Sequence, residues 1–236
     1  TSHFVDTVAT LAFVAAKTRR IQIGSGILLL AQRDPIVLAK ELAGIDVLSK
    51  GRLLVGVGVG YVAGEFEALG IPYAERGPRV TEHIEVLRTL WTQEKPAFAG
   101  RFTSFSGIQS RPLPVQKPHP PIHVGGMSPP ALRRAVAQGN GWYGFFQDLA
   151  ATERMLAALA ETAKRVERPA ALGRLEISVT PPGPVDADTA KRFEELGVDR
   201  LVLMRGFGDM AGRRSASAED AVIRFLEDTA RDLRLG

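Results

Sequence analysis

The chain has 236 residues, 45% hydrophobic and 24% charged, with no cysteine and a formal net charge of +4. This composition suits a globular core and excludes disordered or fibrous classes, disulfide frameworks and thiolate chemistry. No run approaches the roughly 18 consecutive apolar residues of a membrane span. The mild positive charge is scattered in short pairs (Arg19-Arg20, Arg133-Arg134), not gathered into a stripe that grips nucleic acid. Neither a membrane nor a nucleic acid is therefore an expected partner. The first residues hold no targeting signal, so a cytoplasmic location is expected.

In chain order, Val5 to Lys17 reads as a helix, and Ile21 to Leu30 as a buried apolar strand. Pro35 to Leu48 has apolar residues at helical spacing, with Asp34 as N-cap, Pro35 at the first helical position and Gly51 at the exit. Leu53 to Val59 is a second strand, rich in Val and Gly; a turn and a long helix with its core at Val80 to Trp91 follow. Residues 92–121 break the rhythm: Phe98, Phe102 and Phe105 predict a small hairpin, and Pro112 to Pro121 an extended Pro-rich return. Regularity resumes with strands at Ile122 to Val124, Trp142 to Phe146, Leu175 to Thr180 and Arg200 to Met204. The helices between and after them are Ser128 to Ala137, Thr152 to Val166, Asp186 to Gly197 and Ser217 to Leu233.

Six strand-helix units in series, with strands apolar on both faces, imply a parallel sheet covered by helices. An open doubly wound sheet and a (β/α)8 TIM barrel both satisfy that pattern. A barrel needs eight strands. On that reading residues 1–236 form one barrel domain, with 92–121 as an insertion and the two N-terminal strands absent from the chain.

Three glycine motifs sit at strand ends. Gly56-Val57-Gly58-Val59-Gly60 lacks the G-x-G-x-x-G spacing of a dinucleotide fold, since position 63 is Ala. Glycines there leave room for a neighbouring side chain or a flat ligand. Val124-Gly125-Gly126-Met127-Ser128-Pro129 ends a strand, turns and opens a helix, so its backbone N–H groups and helix dipole suit a phosphate. An ordinary βα turn has the same sequence. Ile23-Gly24-Ser25-Gly26-Ile27-Leu28 permits a distorted backbone or a bulge. His83, His119 and His123 do not cluster at metal-ligand spacing, and no nucleophile elbow, P-loop or carboxylate pair stands out. No metal is expected. A chain without its own acid–base machinery fits chemistry carried by a bound cofactor.

These residues resemble the luciferase-like monooxygenase superfamily. The similarity lies in Pro35 to Ala43, Asp46 to Arg52, Gly56 to Tyr61, Glu65-Phe66, Leu69-Gly70, Arg76, Arg79, Glu82, Pro118 to Ile122, Gly125-Gly126 and Gly141-Trp142. The resemblance implies a (β/α)8 barrel holding a flat tricyclic ring at its C-terminal mouth. The ring would be the deazaflavin coenzyme F-420, or alternatively flavin mononucleotide (FMN). It implies hydride transfer to or from a small organic substrate, with an oxygen-using FMN monooxygenase or a non-catalytic paralogue as rivals. A non-proline cis peptide is implied at Gly26-Ile27, forming a ledge under the ring. Ring or phosphate contacts are implied at Gly26, Ile27, Gly58, Gly60, Tyr61, Gly125, Gly126, Met127, Ser128 and Trp142. The position of a flavin-binding arginine in relatives is Val59 here, leaving Arg76 or Arg79 to supply charge. The family's acid–base position falls on the absent second strand, so no catalytic residue is assigned; Arg205 stands near the mouth. A homodimer through helices near the chain's start, including Pro35 to Ser49, is also implied.

Overall fold

The computed structural model describes residues 5–204 and 217–233. Helix α1 (Thr7–Lys17) is capped by Asp6, whose carboxylate accepts from the N–H groups of Val8 and Ala9. The strand expected over 21–30 is two pieces, β1 (Ile23–Gly24) and β2 (Leu28–Leu29). Helix α2 (Pro35–Ser49) forms as its residues dictate. Asp34 accepts from Ile36 and Val37, Pro35 has no N–H to leave unpaired, and Lys50 and Gly51 turn the chain out with φ of 59° and 77°.

Strand β3 (Leu53–Gly58), a short α3 (Ala63–Ala68) and α4 (Arg76–Thr92) follow. The excursion after α4 contains an antiparallel hairpin of β4 (Phe98–Ala99) and β5 (Ser104–Phe105). Its tip hangs on one carboxylate: Glu82 on α4 accepts from the backbone N–H groups of Arg101 (2.7 Å), Phe102 (2.9 Å) and Thr103 (2.7 Å). The chain then runs through β6 (Ile122–Gly125), α5 (Pro129–Gln138), β7 (Gly141–Phe145), α6 (Leu149–Ala163), β8 (Glu176–Thr180), α7 (Ala187–Glu195), β9 (Arg200–Leu201) and α8 (Ser217–Asp232). Helix α6 starts three residues before its expected position because Asp148 accepts from Ala151 N–H at 2.7 Å and caps it. Among the described residues, no helix is long and apolar enough to cross a membrane.

All neighbours in the main sheet are parallel, in the order β1/β2–β3–β6–β7–β8–β9. A doubly wound sheet reverses its strand order partway, and this one does not. The sheet also curls. Ile27 packs at Gly125 of β6 and Gly26 lies beside the Tyr143 ring of β7, although a flat sheet would place β7 about 14 Å from the first strand. The architecture is an arc of a (β/α)8 barrel. Its helix-facing side carries Val55, Val57, Ile122, Val124, Trp142 and Val179, all buried.

Arg52, just before β3, locks the strand's entry. Its guanidinium donates to the carbonyls of Ser49 (2.7 Å), Ile21 (2.8 Å) and Ala15 (3.1 Å) and to the Thr18 hydroxyl (2.9 Å). A planar five-donor fork can serve so many acceptors; a lysine cannot. Asp46, buried on α2, accepts from the Gln116 backbone (3.0 Å) and side chain (2.7 Å) and so pins the Pro-rich return.

The gap between β1 and β2 is a bulge. Gly24 pairs with Leu54, but Leu28 pairs with Val57, so the first strand carries one residue more than β3. Ser25 replaces the lost ladder bonds: its hydroxyl donates to Gly56 O (2.8 Å) and accepts from Gly56 N–H (3.0 Å). A Cβ at Gly56 would lie 1.9 Å from the Ser25 carbonyl oxygen, and one at Gly58 2.0 Å from Ile27 Cδ1. The first obstacle is backbone; the second is the free end of a side chain.

At the floor of the inner face, the buried His123 ring lies with Nδ1 3.5 Å from Ser178 Oγ. Arg200 donates to that hydroxyl at 3.0 Å, and the Glu176 carboxylate approaches His123 Nε2 to 3.4 Å without making a hydrogen bond. Burial holds the imidazole pKa down from 6.5 to about 4, against the pull of Glu176.

Two outcomes follow from these contacts. Gly58→Ala is expected to cost about 1 kcal/mol in urea unfolding, because Ile27 can swing aside, and Gly56→Ala about 3 kcal/mol. Adding Ile27→Ala should offset the packing clash of Gly58→Ala but not that of Gly56→Ala; equal losses at the two glycines would contradict the contact geometry. The second outcome concerns pH. The folded pKa of His123 lies below its unfolded value, so the unfolded chain takes the proton first. Its contribution is intact above pH 6.5 and is lost as pH falls towards 4, by about 3 kcal/mol at most. The difference in unfolding free energy between the parent and His123→Gln should change over that window; a constant difference would rule out the linkage.

Candidate functional site

The C-terminal ends of the strands carry the residues that the sequence singles out. The bulge Ser25-Gly26-Ile27 lies across the inner face, and the Gly26-Ile27 peptide is cis. Ile27 fills the space left by absent side chains: it reaches within 2.0 Å of a Cβ position at Gly58 and 3.1 Å of one at Gly125. Gly26 is exposed on the outer side of this ledge. Of the two readings of the β3 glycines, the chain's own ledge occupies the room. Gly58 therefore seats Ile27 and presents no open surface to a ligand.

Gly60 turns with φ of 79° above the Phe66 ring. Tyr61 is 86% exposed, and its carbonyl accepts from the Tyr73 hydroxyl at 3.0 Å. Its ring is thus on the surface beside the strand ends, not within a pocket.

The turn after β6 has the form expected of an anion site. Gly126 takes φ of 121°, a value few side chains tolerate, and Ser128 opens α5 with φ of −75°. Pro129 and Pro130 have no N–H, and the N–H groups of Ala131 and Leu132 are taken by Ser128 O. The N–H groups of Met127 and Ser128 have no acceptor among the described residues, and the Ser128 hydroxyl caps nothing. Two free amides at the positive end of a ten-residue helix favour a negative group.

Trp142 is placed otherwise than expected for a ring contact. It is fully buried on the helix-facing side of β7 and donates from Nε1 to Gly126 O at 2.8 Å. One residue's step along a strand reverses the face, so Tyr143, not Trp142, faces the interior. Trp142 supports the glycine turn from behind.

Of the two arginines considered for phosphate charge, Arg79 is paired with a carboxylate and Arg76 is not. Arg76 stacks on Tyr73 at 3.8 Å and donates to its carbonyl; Arg79 pairs with Glu75 at 3.1 Å and lies over the Phe102 ring. Arg205 lies outside the described residues, as does the loop 206–216. The histidines each have separate duties, His83 Nδ1 at the Leu30 carbonyl and His119 Nδ1 at the Pro120 carbonyl. Among the described residues no group of His, Asp and Glu is arranged to hold a metal.

Sequence reasoning misses Gln147 and the pair Tyr143 and Thr180. Gln147 is buried; its amide donates to the carbonyls of Phe145 (2.9 Å) and Phe146 (3.2 Å) and to Met127 Sδ (2.8 Å), tying the β7 exit to the glycine turn. Tyr143 and Thr180 share a hydrogen bond of 2.6 Å on the inner face. Strand parity from the His123–Gly141–Glu176 register would have placed both inward; their type alone reads as core.

Residues 1–234 match the family model described as luciferase-like monooxygenase. An uncharacterised protein of Mycobacterium tuberculosis is 32% identical over 220 residues, covering 92% of this chain and 72% of its own length. The FMNH2-dependent dimethylsulfone monooxygenase of Pseudomonas putida is 40% identical over 113 residues, 47% of this chain and 31% of that protein. A solved F-420-dependent secondary alcohol dehydrogenase superposes with a TM-score of 0.70 over 84% of this chain and 78% of its own; at 16% identity that likeness concerns the fold. With a matching model that spans almost every residue, the chain belongs to the luciferase-like monooxygenase family.

Proposed function

We propose that the chain is an oxidoreductase that holds coenzyme F-420 at the mouth of its sheet and transfers hydride to or from a small organic substrate. One observation carries this reading: an exposed backbone ledge at Gly26-Ile27 and two unpartnered amides at Met127 and Ser128 stand at the C-terminal ends of the strands. A flat ring with a phosphate-bearing tail has a surface for the first and an anion for the second. When bound, the deazaflavin supplies a ring carbon that takes or gives hydride. The chain's own part is to orient and to exclude water. Ile27 and Gly26 would support one face of the ring, and Gly126, Met127 and Ser128 would hold the phosphate by backbone N–H groups.

The preference for the deazaflavin rests on Val59, which stands where flavin-binding relatives place an arginine, and on Arg79 being paired with Glu75. The identity shared with an FMNH2-dependent monooxygenase supports a second reading, FMN chemistry with oxygen. A paralogue that binds the ring without turnover is the third. The protein would work in the cytoplasm, which its cysteine-free composition suits.

Fluorescence titration of the purified protein separates the two cofactor readings, and substrate turnover with the bound ring separates the paralogue. Micromolar or tighter uptake of F-420, with FMN at least tenfold weaker, is expected; the reverse preference with oxygen consumption supports the FMN reading, and uptake of neither ring refutes the proposal. Ser128→Pro removes one N–H at a φ that proline accepts. It should weaken binding about five- to tenfold, in line with one charge-assisted hydrogen bond.

We further propose a homodimer through the outer faces of α1 and α2. Phe13 is 64% exposed, Val37 57% and Leu48 71%, and nothing lies within 4 Å of a Cβ at Gly44. A second copy laid on this apolar, closely approachable strip would bury it. Leu48→Glu should convert a dimer to a monomer in sedimentation analysis without loss of the far-UV helix signal; an unaltered mass would exclude this face.

A further inference from the structure

The ledge is braced from beneath as well as from the side. Tyr143 projects from the inner face of β7, and its phenol oxygen lies 2.6 Å from Thr180 Oγ on β8. A Cβ at Gly26 would come 3.5 Å from that phenol oxygen and 3.6 Å from the ring carbon bearing it. Tyr143 and Thr180 are both buried, while Gly26 is exposed on its far side. A line of close neighbours thus runs from β8 through β7 to the bulge of the first strand, with the phenol on the side of Gly26 to which a Cβ would point. The other parts that meet the ledge are the glycine positions 56, 58 and 125 and the aliphatic packing of Ile27. The phenol is the group on β7 that reaches towards the ledge, and the hydroxyl pair fixes its rotation, since neither buried hydroxyl can turn away without losing its partner. Burial also raises the phenol's pKa, so it stays protonated at neutral pH.

We propose that Tyr143 is a positioning residue that, with Thr180, sets the height and rigidity of the Ser25–Ile27 ledge and through it the fit of the flat ring laid on Gly26. The ring part rests on the proposed function; the ledge part does not.

Two readouts on Tyr143→Phe, Thr180→Val, their double variant and Thr180→Ser test it. The first is amide hydrogen exchange in peptides covering 24–28 of the ligand-free protein, with peptides of α2 as reference. The second is the dissociation constant for F-420 and FMN. Tyr143→Phe and Thr180→Val should each speed exchange at the ledge about tenfold, leave α2 unchanged and weaken ring binding about three- to tenfold. The double variant should be no worse than either single one, because one shared bond is lost. Thr180→Ser keeps the hydroxyl and should match the parent. Ledge exchange unchanged in Tyr143→Phe, or raised equally in α2, overturns the brace. Faster ledge exchange with unchanged ring affinity overturns the effect on fit. If the parent takes up neither ring while ledge exchange responds, the brace stands and the functional reading falls together with the ring part.

Discussion

The Ser25 carbonyl and the Ile27 side chain sit where side chains at 56, 58 and 125 would otherwise be, and the mouth of the sheet is assembled around that occupancy. The bulge needs the missing side chains of β3 to lie flat. Ser25 can then bond to both backbone groups of Gly56, and the chain crosses the inner face to pack at Gly125 of β6 and lie beside the Tyr143 ring of β7. Were β3 a valine-rich strand with no glycines, the same stretch would pair straight through as an ordinary strand. The exposed backbone at Gly26 is thus a product of packing beneath it. Tight interiors transmit such demands because they hold few voids.

The glycine turn after β6 is independent of the ledge in sequence but joined to it in space. Trp142 holds Gly126 O from behind and Gln147 holds Met127 from the side. With Pro129 and Pro130 removing two donors and Ser128 O occupying two more, the remaining free amides are set by the sequence of the turn itself.

Much of the fold was legible because local signals agreed with the tertiary outcome. Helix α2 shows its cap, its proline and its left-handed exit in the residues 34–51, and all three are used. The Ile21 to Leu30 run reads as one strand since its apolar pattern is continuous; the break is imposed by contact with β3, which local pattern does not carry. The turn after β6 is legible as a turn because Gly125, Gly126 and the two prolines after Ser128 mark it locally. The face of Trp142 was not found, since it depends on the register of β7 against β6. Tyr143, Thr180 and Gln147 were missed for a related reason: their roles lie in pairings between strands and loops far apart in sequence, and each alone has the composition of ordinary core.

The hairpin over α4 is held by Glu82 through three backbone amides. A carboxylate that reads amides is indifferent to which side chains those residues carry, provided none is proline. The tip at 101–103 can therefore exchange its side chains in the course of descent and keep its mooring. An outer loop of this kind lets a lineage try new surfaces beside an unchanged barrel rim.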